Sequence, residues 1–201
     1  MSGVSKAIVQ PLLSWYDAGH RDLPWRSEPT PYRVWVSEIM LQQTRVEAVR
    51  GYFSRWMNAL PDIPALAAAD EAVYTKLWEG LGYYSRVRNL HRAAVLLCEQ
   101  YGGELPADYD RLLALPGVGE YTAGAVASIA FGLPVPAVDG NVLRVAARLD
   151  NDFTPITDAK FKKTDARAVR RTHAVRPPRR PQPVADGAWC NRLSAERRTA
   201  L

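Results

Sequence analysis

Cysteine is scarce in this chain: Cys98 and Cys190 are the only two in 201 residues, far apart and without metal-type spacing. Such a pair supports neither a disulfide framework nor a zinc or iron–sulfur site. No apolar run approaches the roughly 18 residues that a membrane-spanning helix needs. Met1 to Lys6 lacks the basic and apolar regions of a secretory leader. The expected setting is therefore the cytoplasm, with no membrane partner. Period-two alternation is missing as well, and Pro134 to Asp139 is too rich in proline for a central strand. With no internal repeat either, sheet, barrel and solenoid architectures are set aside.

What is present is helical. The chain is 47% hydrophobic and 23% charged, enough for one or two small domains with a proper core. Apolar residues recur at helical spacing in Val9 to Tyr16. Leu23-Pro24-Trp25-Arg26 reads as a turn that breaks this pattern, and Pro31 to Val49 as one long helix. Shorter helices are expected over Gly51 to Leu60, Ile63 to Ala69 and Glu71 to Trp78, the last stopped by Gly80 and Gly82. Asn89 to Tyr101 and Val142 to Leu149 complete an all-α reading of about eight to ten short helices.

The net charge of +5 is unevenly placed. From Thr164 to Leu201 nine arginines face three acidic residues, which leaves 17 basic against 18 acidic before it. The basic character belongs to the tail, which is rich in Arg, Pro and Ala, without lysine or periodicity, and reads as disordered. A nucleic-acid argument must therefore rest on local geometry.

That geometry is offered by Leu115-Pro116-Gly117-Val118-Gly119-Glu120-Tyr121-Thr122-Ala123. The two glycines permit positive φ and close backbone approach between two helical stretches. Gly117 and Gly119 amides, with the N-terminus of the next helix, form an anion site suited to a backbone phosphate. An ordinary helical hairpin would look much the same. Two carboxylates join it. Glu38 lies among Val36, Ile39, Met40 and Leu41; a carboxyl in apolar surroundings has a raised pKa and can serve as a general acid, although a solvated helix glutamate is the commoner case. Asp139 precedes Gly140-Asn141 where a helix N-cap is expected. It could equally stabilise a sugar cation as a glycosidic bond breaks.

Taken together, Pro31 to Val49, Gly80-Leu81-Gly82-Tyr83-Tyr84-Ser85-Arg86, the hairpin and Val138-Asp139-Gly140-Asn141-Val142 resemble, in order and spacing, the helix-hairpin-helix base-excision glycosylases. Leu23-Pro24-Trp25-Arg26 and Ser37-Glu38-Ile39-Met40-Leu41-Gln42-Gln43-Thr44 resemble the adenine-specific branch. The resemblance covers nearly all of residues 8 to 163. It implies two helical lobes with the active site between them: residues 29–134, a six-helix barrel containing the hairpin at 111–131, and residues 1–28 with 135–163. It implies a monomer acting in a bacterial cytoplasm on double-stranded DNA carrying adenine opposite 8-oxoguanine or guanine. Glu38 and Asp139 would be catalytic, and Tyr121 and Asn141 would line the sugar and the carboxylates. Trp25 and Arg26 would form the adenine pocket, while Gln43 and Tyr83 would wedge into the base stack. Leu41, Gln42, Ser85, Arg86, Gly117, Val118, Gly119 and Thr122 would contact DNA. Related glycosylase/lyases carry a nucleophilic lysine where this chain has Tyr121, so hydrolysis without an obligatory strand break is expected. Three other readings stay open: a glycosylase of the same fold with different base choice, a non-catalytic DNA-binding module, and an inactive truncated product.

The chain departs from the family after Lys163. The resemblance implies a [4Fe–4S] cluster held by four cysteines, and these ligands are absent here. Read in a displaced frame, codons for Arg179 to Leu201 permit a string resembling the family's next helix and first two cluster cysteines. The expectation is a frameshift or truncation near Lys163, an aberrant tail over 164–201, and weak folding or activity for the polypeptide as written.

Overall fold

The computed structural model describes residues 8–156 and 158. Among these residues ten helices follow one another: α1 (Val9–Gly19), α2 (Pro24–Ser27), α3 (Pro31–Leu41), α4 (Val46–Ala59), α5 (Ile63–Ala67), α6 (Glu71–Trp78), α7 (Ser85–Tyr101), α8 (Tyr109–Leu113), α9 (Glu120–Ile129) and α10 (Gly140–Leu149). Among the described residues there is no strand, and no helix is long and apolar enough to cross a membrane. The tail at 164–201, Cys190 and the displaced-frame reading lie outside the described residues.

Several boundaries are set by local chemistry. Proline opens α2, α3 and α5 near their first positions, where its missing N–H costs nothing and its fixed φ suits the helix. Side-chain oxygens of Thr30, Asp62 and Asp108 cap α3, α5 and α8. Gly102, left-handed at φ 64°, ends α7.

Three expectations are corrected here. Leu23-Pro24-Trp25-Arg26 is not merely a turn: Pro24 starts a single helical turn whose Trp25 is buried. Pro31 to Val49 is not one helix, because Gln43 adopts φ 59° and the chain breaks between Leu41 and Val46. Residues 51–60 are not a separate helix but the continuation of α4.

The core is aromatic and continuous. Trp35, Trp56, Trp78 and Phe53 are fully buried, with Trp56 and Trp78 edge to face at 5.6 Å. Each such side chain contributes roughly 1.5–3 kcal/mol by leaving water. The polar atoms they bring inside are largely paired: Trp56 Nε1 donates to the Tyr32 hydroxyl at 3.0 Å, which donates to the Leu60 carbonyl at 2.9 Å. Helix α3 runs through this core, packed against α2, α4, α7 and α9. Leu23 and Trp25 belong to the same core, whereas α10 buries Leu143 and Ala147 in a separate small cluster with Val138 and Ile156. The outer face of α10 leaves Val145 and Leu149 about half exposed.

Candidate active site

Helices α8 and α9 pack on each other to form the hairpin, and α9 packs in turn on α3. In its turn only one glycine needs its freedom. Gly117 is left-handed at φ 75°, and a Cβ there would stand 2.7 Å from Asn89 Cβ. Gly119 is extended at φ −95°, so its conformation is open to any residue; the expectation of positive φ at both glycines is corrected to Gly117 alone. A Cβ at Gly119 would meet nothing within 4 Å. The Val118 N–H is taken by the Leu115 carbonyl at 3.1 Å. The amides of Gly117 and Gly119 donate to no group among the described residues, and with the first turn of α9 they provide unpaired donors for an anion.

Behind this turn the structure brings the two carboxylates together. Glu38 sits on α3, half-buried, and Asp139 is the N-cap of α10, its Oδ1 accepting from Asn141 N at 2.9 Å and Val142 N at 2.8 Å. Asn141 Nδ2 donates to Asp139 Oδ2 at 2.7 Å, and Arg144 donates to Asn141 Oδ1. A chain of contacts thus fixes the Asp139 carboxylate, and its capping and any chemical duty coexist. Burial raises the Glu38 pKa above 4.5. The Tyr121 hydroxyl beside it opposes that shift, the Asp139 charge adds to it, and the Arg26 guanidinium lowers it. Burial and the two neighbouring carboxylates hold the Tyr121 phenol protonated well above its ordinary value. Glu38, Tyr121, Asp139 and Arg26 therefore occupy one electrostatic neighbourhood assembled from α2, α3, α9 and α10.

Asp139 is delivered there by close packing. The segment before it passes directly over Gly124 of α9, where a Cβ would fall 2.4 Å from the Pro136 carbonyl oxygen. The sequence reading missed this residue; the small-residue run Ala123-Gly124-Ala125 was the available signal of close approach. Of the expected pocket residues, Arg26 is exposed, lies over the Tyr16 ring at 5.6 Å and donates to the Arg21 carbonyl. Trp25 is turned inward, edge to face with Phe53 at 5.4 Å.

Of the remaining expected residues, Gln42, Ser85 and Arg86 lie close to the hairpin turn, sharing a cavity with Pro116 and Gly117. Gln42 Nε2 donates to Thr122 Oγ1 at 3.4 Å, tying the break after α3 to the start of α9. Val118 and Thr122 are buried, Leu41 is half-buried against the core, and Ser85 is exposed at the start of α7. Gln43 and Tyr83 are both exposed, Tyr83 to 65%, and both take the left-handed φ that non-glycine residues seldom adopt. A cavity of about 120 Å³ lies among Trp35, Gln42, Ser85, Arg86, Asn89 and Gly117, beneath these loops and apart from Glu38.

Cys98 on α7 is half-buried near Gly103, and among the described residues no three His, Cys, Asp or Glu side chains are placed to hold an ion. Two cysteines cannot supply the four thiolates of an iron–sulfur cluster, so the residues present do not fit one.

An all-α fold with a glycine hairpin beside a pair of carboxylates is the arrangement of a helix-hairpin-helix protein. A model of the HhH-GPD superfamily of base excision DNA repair proteins matches residues 36–171, and the chain belongs to that family. It is 51% identical over 147 residues to the adenine DNA glycosylase of Mus musculus, covering 69% of this chain and 28% of that protein. With the adenine DNA glycosylase of Mycolicibacterium smegmatis it shares 47% over 138 residues, 68% of this chain and 47% of that one. The chain thus spans less than half the length of these curated relatives. Among solved structures it is similar to a thermostable thymine-DNA glycosylase, with TM-score 0.66, 25% identity and coverage of 88% and 89%. It is also similar to an Endonuclease III–DNA covalent intermediate, with TM-score 0.66, 26% identity and coverage of 84% and 83%.

Proposed function

We propose that this chain carries the catalytic part of a monofunctional adenine DNA glycosylase, hydrolysing the N-glycosidic bond of adenine mispaired with 8-oxoguanine or guanine in double-stranded DNA. The observation that carries the reading is the neighbourhood of Glu38, Tyr121 and Asp139 behind the hairpin. We further read residues 29–134 as one lobe and 1–28 with 135–163 as the other, with Leu23 and Trp25 of the second reaching into the core of the first.

The chemistry follows from the groups present. A stacked adenine shields its glycosidic bond, so the nucleotide must leave the helix before it reacts. Free amides at the hairpin turn hold a phosphate of that strand, and Gln43 and Tyr83 fill the gap in the stack. Glu38, whose carboxyl pKa is raised by burial and further by the Asp139 charge, gives its proton to N7 of adenine and makes the base a better leaving group. Positive charge then develops on the sugar, and the fixed Asp139 carboxylate stabilises it. Water attacks C1′, with Glu38, now ionised, positioned to take its proton. Tyr121 has no amine and forms no imine, so adenine is released and an abasic sugar remains in the intact strand.

Single-turnover release of adenine from a duplex with one A:8-oxoguanine pair tests this. Glu38→Gln is expected to abolish release while mismatch binding persists, and borohydride is expected to trap little or no covalent adduct with the wild-type chain. Near-normal release by Glu38→Gln removes the acid role, and efficient trapping favours a lyase.

A further inference from the structure

Arg86 was expected to contact DNA, but its guanidinium is committed elsewhere. Nη1 donates to the carbonyls of Ile39 at 3.0 Å, Met40 at 3.3 Å and Gln42, at the end of α3. Nη2 donates to the carbonyls of Leu81 at 2.9 Å and Gly82 at 3.2 Å, in the loop before α7. Its four terminal N–H groups are spent on five backbone oxygens, and the fifth donor, Nε–H, is buried without a partner, so none is presented to a phosphate. The plane of the group is also pinned, lying over the Trp78 ring at 5.3 Å and the Tyr83 ring at 5.5 Å. Trp78 Nε1 adds a second donor to the Gly82 carbonyl at 3.1 Å.

Each of the two loops it joins carries an exposed side chain on left-handed backbone, a feature shared among the described residues only with Asn151. Gln43 follows the Gln42 carbonyl directly, with φ 59°; Tyr83 follows the Gly82 carbonyl directly, with φ 49°. Such conformations persist where surrounding contacts over-determine them. Arg86 supplies those contacts to both loops from one rigid group, although the loops are some forty residues apart in sequence.

We propose that Arg86 is a positioning residue that locks the Gln43 and Tyr83 loops together, so that both side chains enter the base stack as one wedge. This rests on the glycosylase reading above. A planar fork is required, because a lysine ammonium has three donors and cannot span two carbonyl groups of opposite loops while stacking on two rings.

The test uses the whole chain and a duplex with 2-aminopurine next to an A:8-oxoguanine pair, whose emission rises when the neighbouring bases unstack. Arg86→Lys is expected to lose most of that rise and to release adenine roughly 10- to 100-fold more slowly, as a wedge displaced by about 1 Å would. The dependence of log affinity on log salt keeps its wild-type slope, since no phosphate contact is removed. A slope reduced by about 1 would instead identify a phosphate contact and overturn the proposal. So would an undiminished emission rise. Gln43→Ala and Tyr83→Ala provide a cycle that needs no change at Arg86 and alters only exposed side chains. A shared wedge makes their losses in release rate overlap, with the double variant about fivefold or more faster than independent losses would give; independent losses overturn the lock. If the wild-type chain neither raises the emission nor releases adenine, the glycosylase reading falls and takes the lock with it. If the wild type does both and Arg86→Lys does as well, the lock alone falls.

Discussion

Gly124→Ala tests how Asp139 is brought to Glu38. The added methyl would meet the Pro136 carbonyl oxygen at 2.4 Å, the Pro136 carbonyl carbon at 3.1 Å and Ala137 Cα at 3.2 Å. All three are backbone, so no side-chain rotation relieves the contact. Restoring ordinary separation, which begins at 3.4 Å, requires α9 and the 136–137 segment to part by about 1 Å. Overpacking of this kind costs roughly 1–3 kcal/mol, or about 2–12 °C in melting temperature for a chain of this size. Tyr121 lies three residues before Gly124 and Asp139 three residues after Pro136, so the displacement passes directly into the carboxylate pair. A misplacement of about 1 Å lowers the rate roughly 100-fold. Single-turnover adenine release at saturating chain is the assay, with duplex affinity measured alongside. Gly119→Ala is the contrast: its Cβ meets nothing in the protein but stands where a phosphate would approach. It is expected to weaken binding and leave the saturated rate nearly intact. Release at the wild-type rate by a folded Gly124→Ala chain would refute the close-packing argument, as would the same kinetic signature for both variants.

Two further outcomes follow from the electrostatics of the pair. Asn caps a helix about as well as Asp, so Asp139→Asn should preserve the melting temperature within about 2 °C. It should still lose most of the release rate, and by removing a repelling charge it should move the fall of activity with Glu38 ionisation to lower pH. Because burial raises the Glu38 pKa, the folded state holds its proton more tightly than the unfolded chain does. That contribution to stability is complete below pH 4.5 and is lost as pH rises through the raised value. Glu38→Gln carries no such penalty, so thermal melts should show it gaining on the wild type as pH rises from 4.5 towards 8. A constant difference across that range would show that Glu38 ionises as freely in the fold as outside it.

The residues that declare the site are local in character and were legible in the chain. Proline and glycine punctuation placed most helices, because their backbone limits act without tertiary help. The N-cap of α10 could be read from Asp139-Gly140-Asn141 for the same reason, and the hairpin turn from its glycine pair. Breaks imposed by contact were not legible. Residues 31–49 keep good helical periodicity, yet the helix stops at Leu41, where Arg86 captures the Ile39, Met40 and Gln42 carbonyls and Gln43 turns left-handed. Arg86 itself was expected to contact DNA, since a sequence records a guanidinium but not the oxygens it will meet.

The amino-acid order by itself determined an all-helical chain, its principal stops and the residue types able to hold a phosphate, donate a proton and steady a cation. Each of these depends on what a residue does to its own backbone or carries on its own side chain. Tertiary structure decided the rest: that Glu38 and Asp139, about a hundred positions apart, share one electric field, that Gly124 lets Pro136 pass close enough to deliver Asp139, and that one guanidinium joins two distant loops. Those are distances between remote parts of the chain, and only packing in three dimensions sets them.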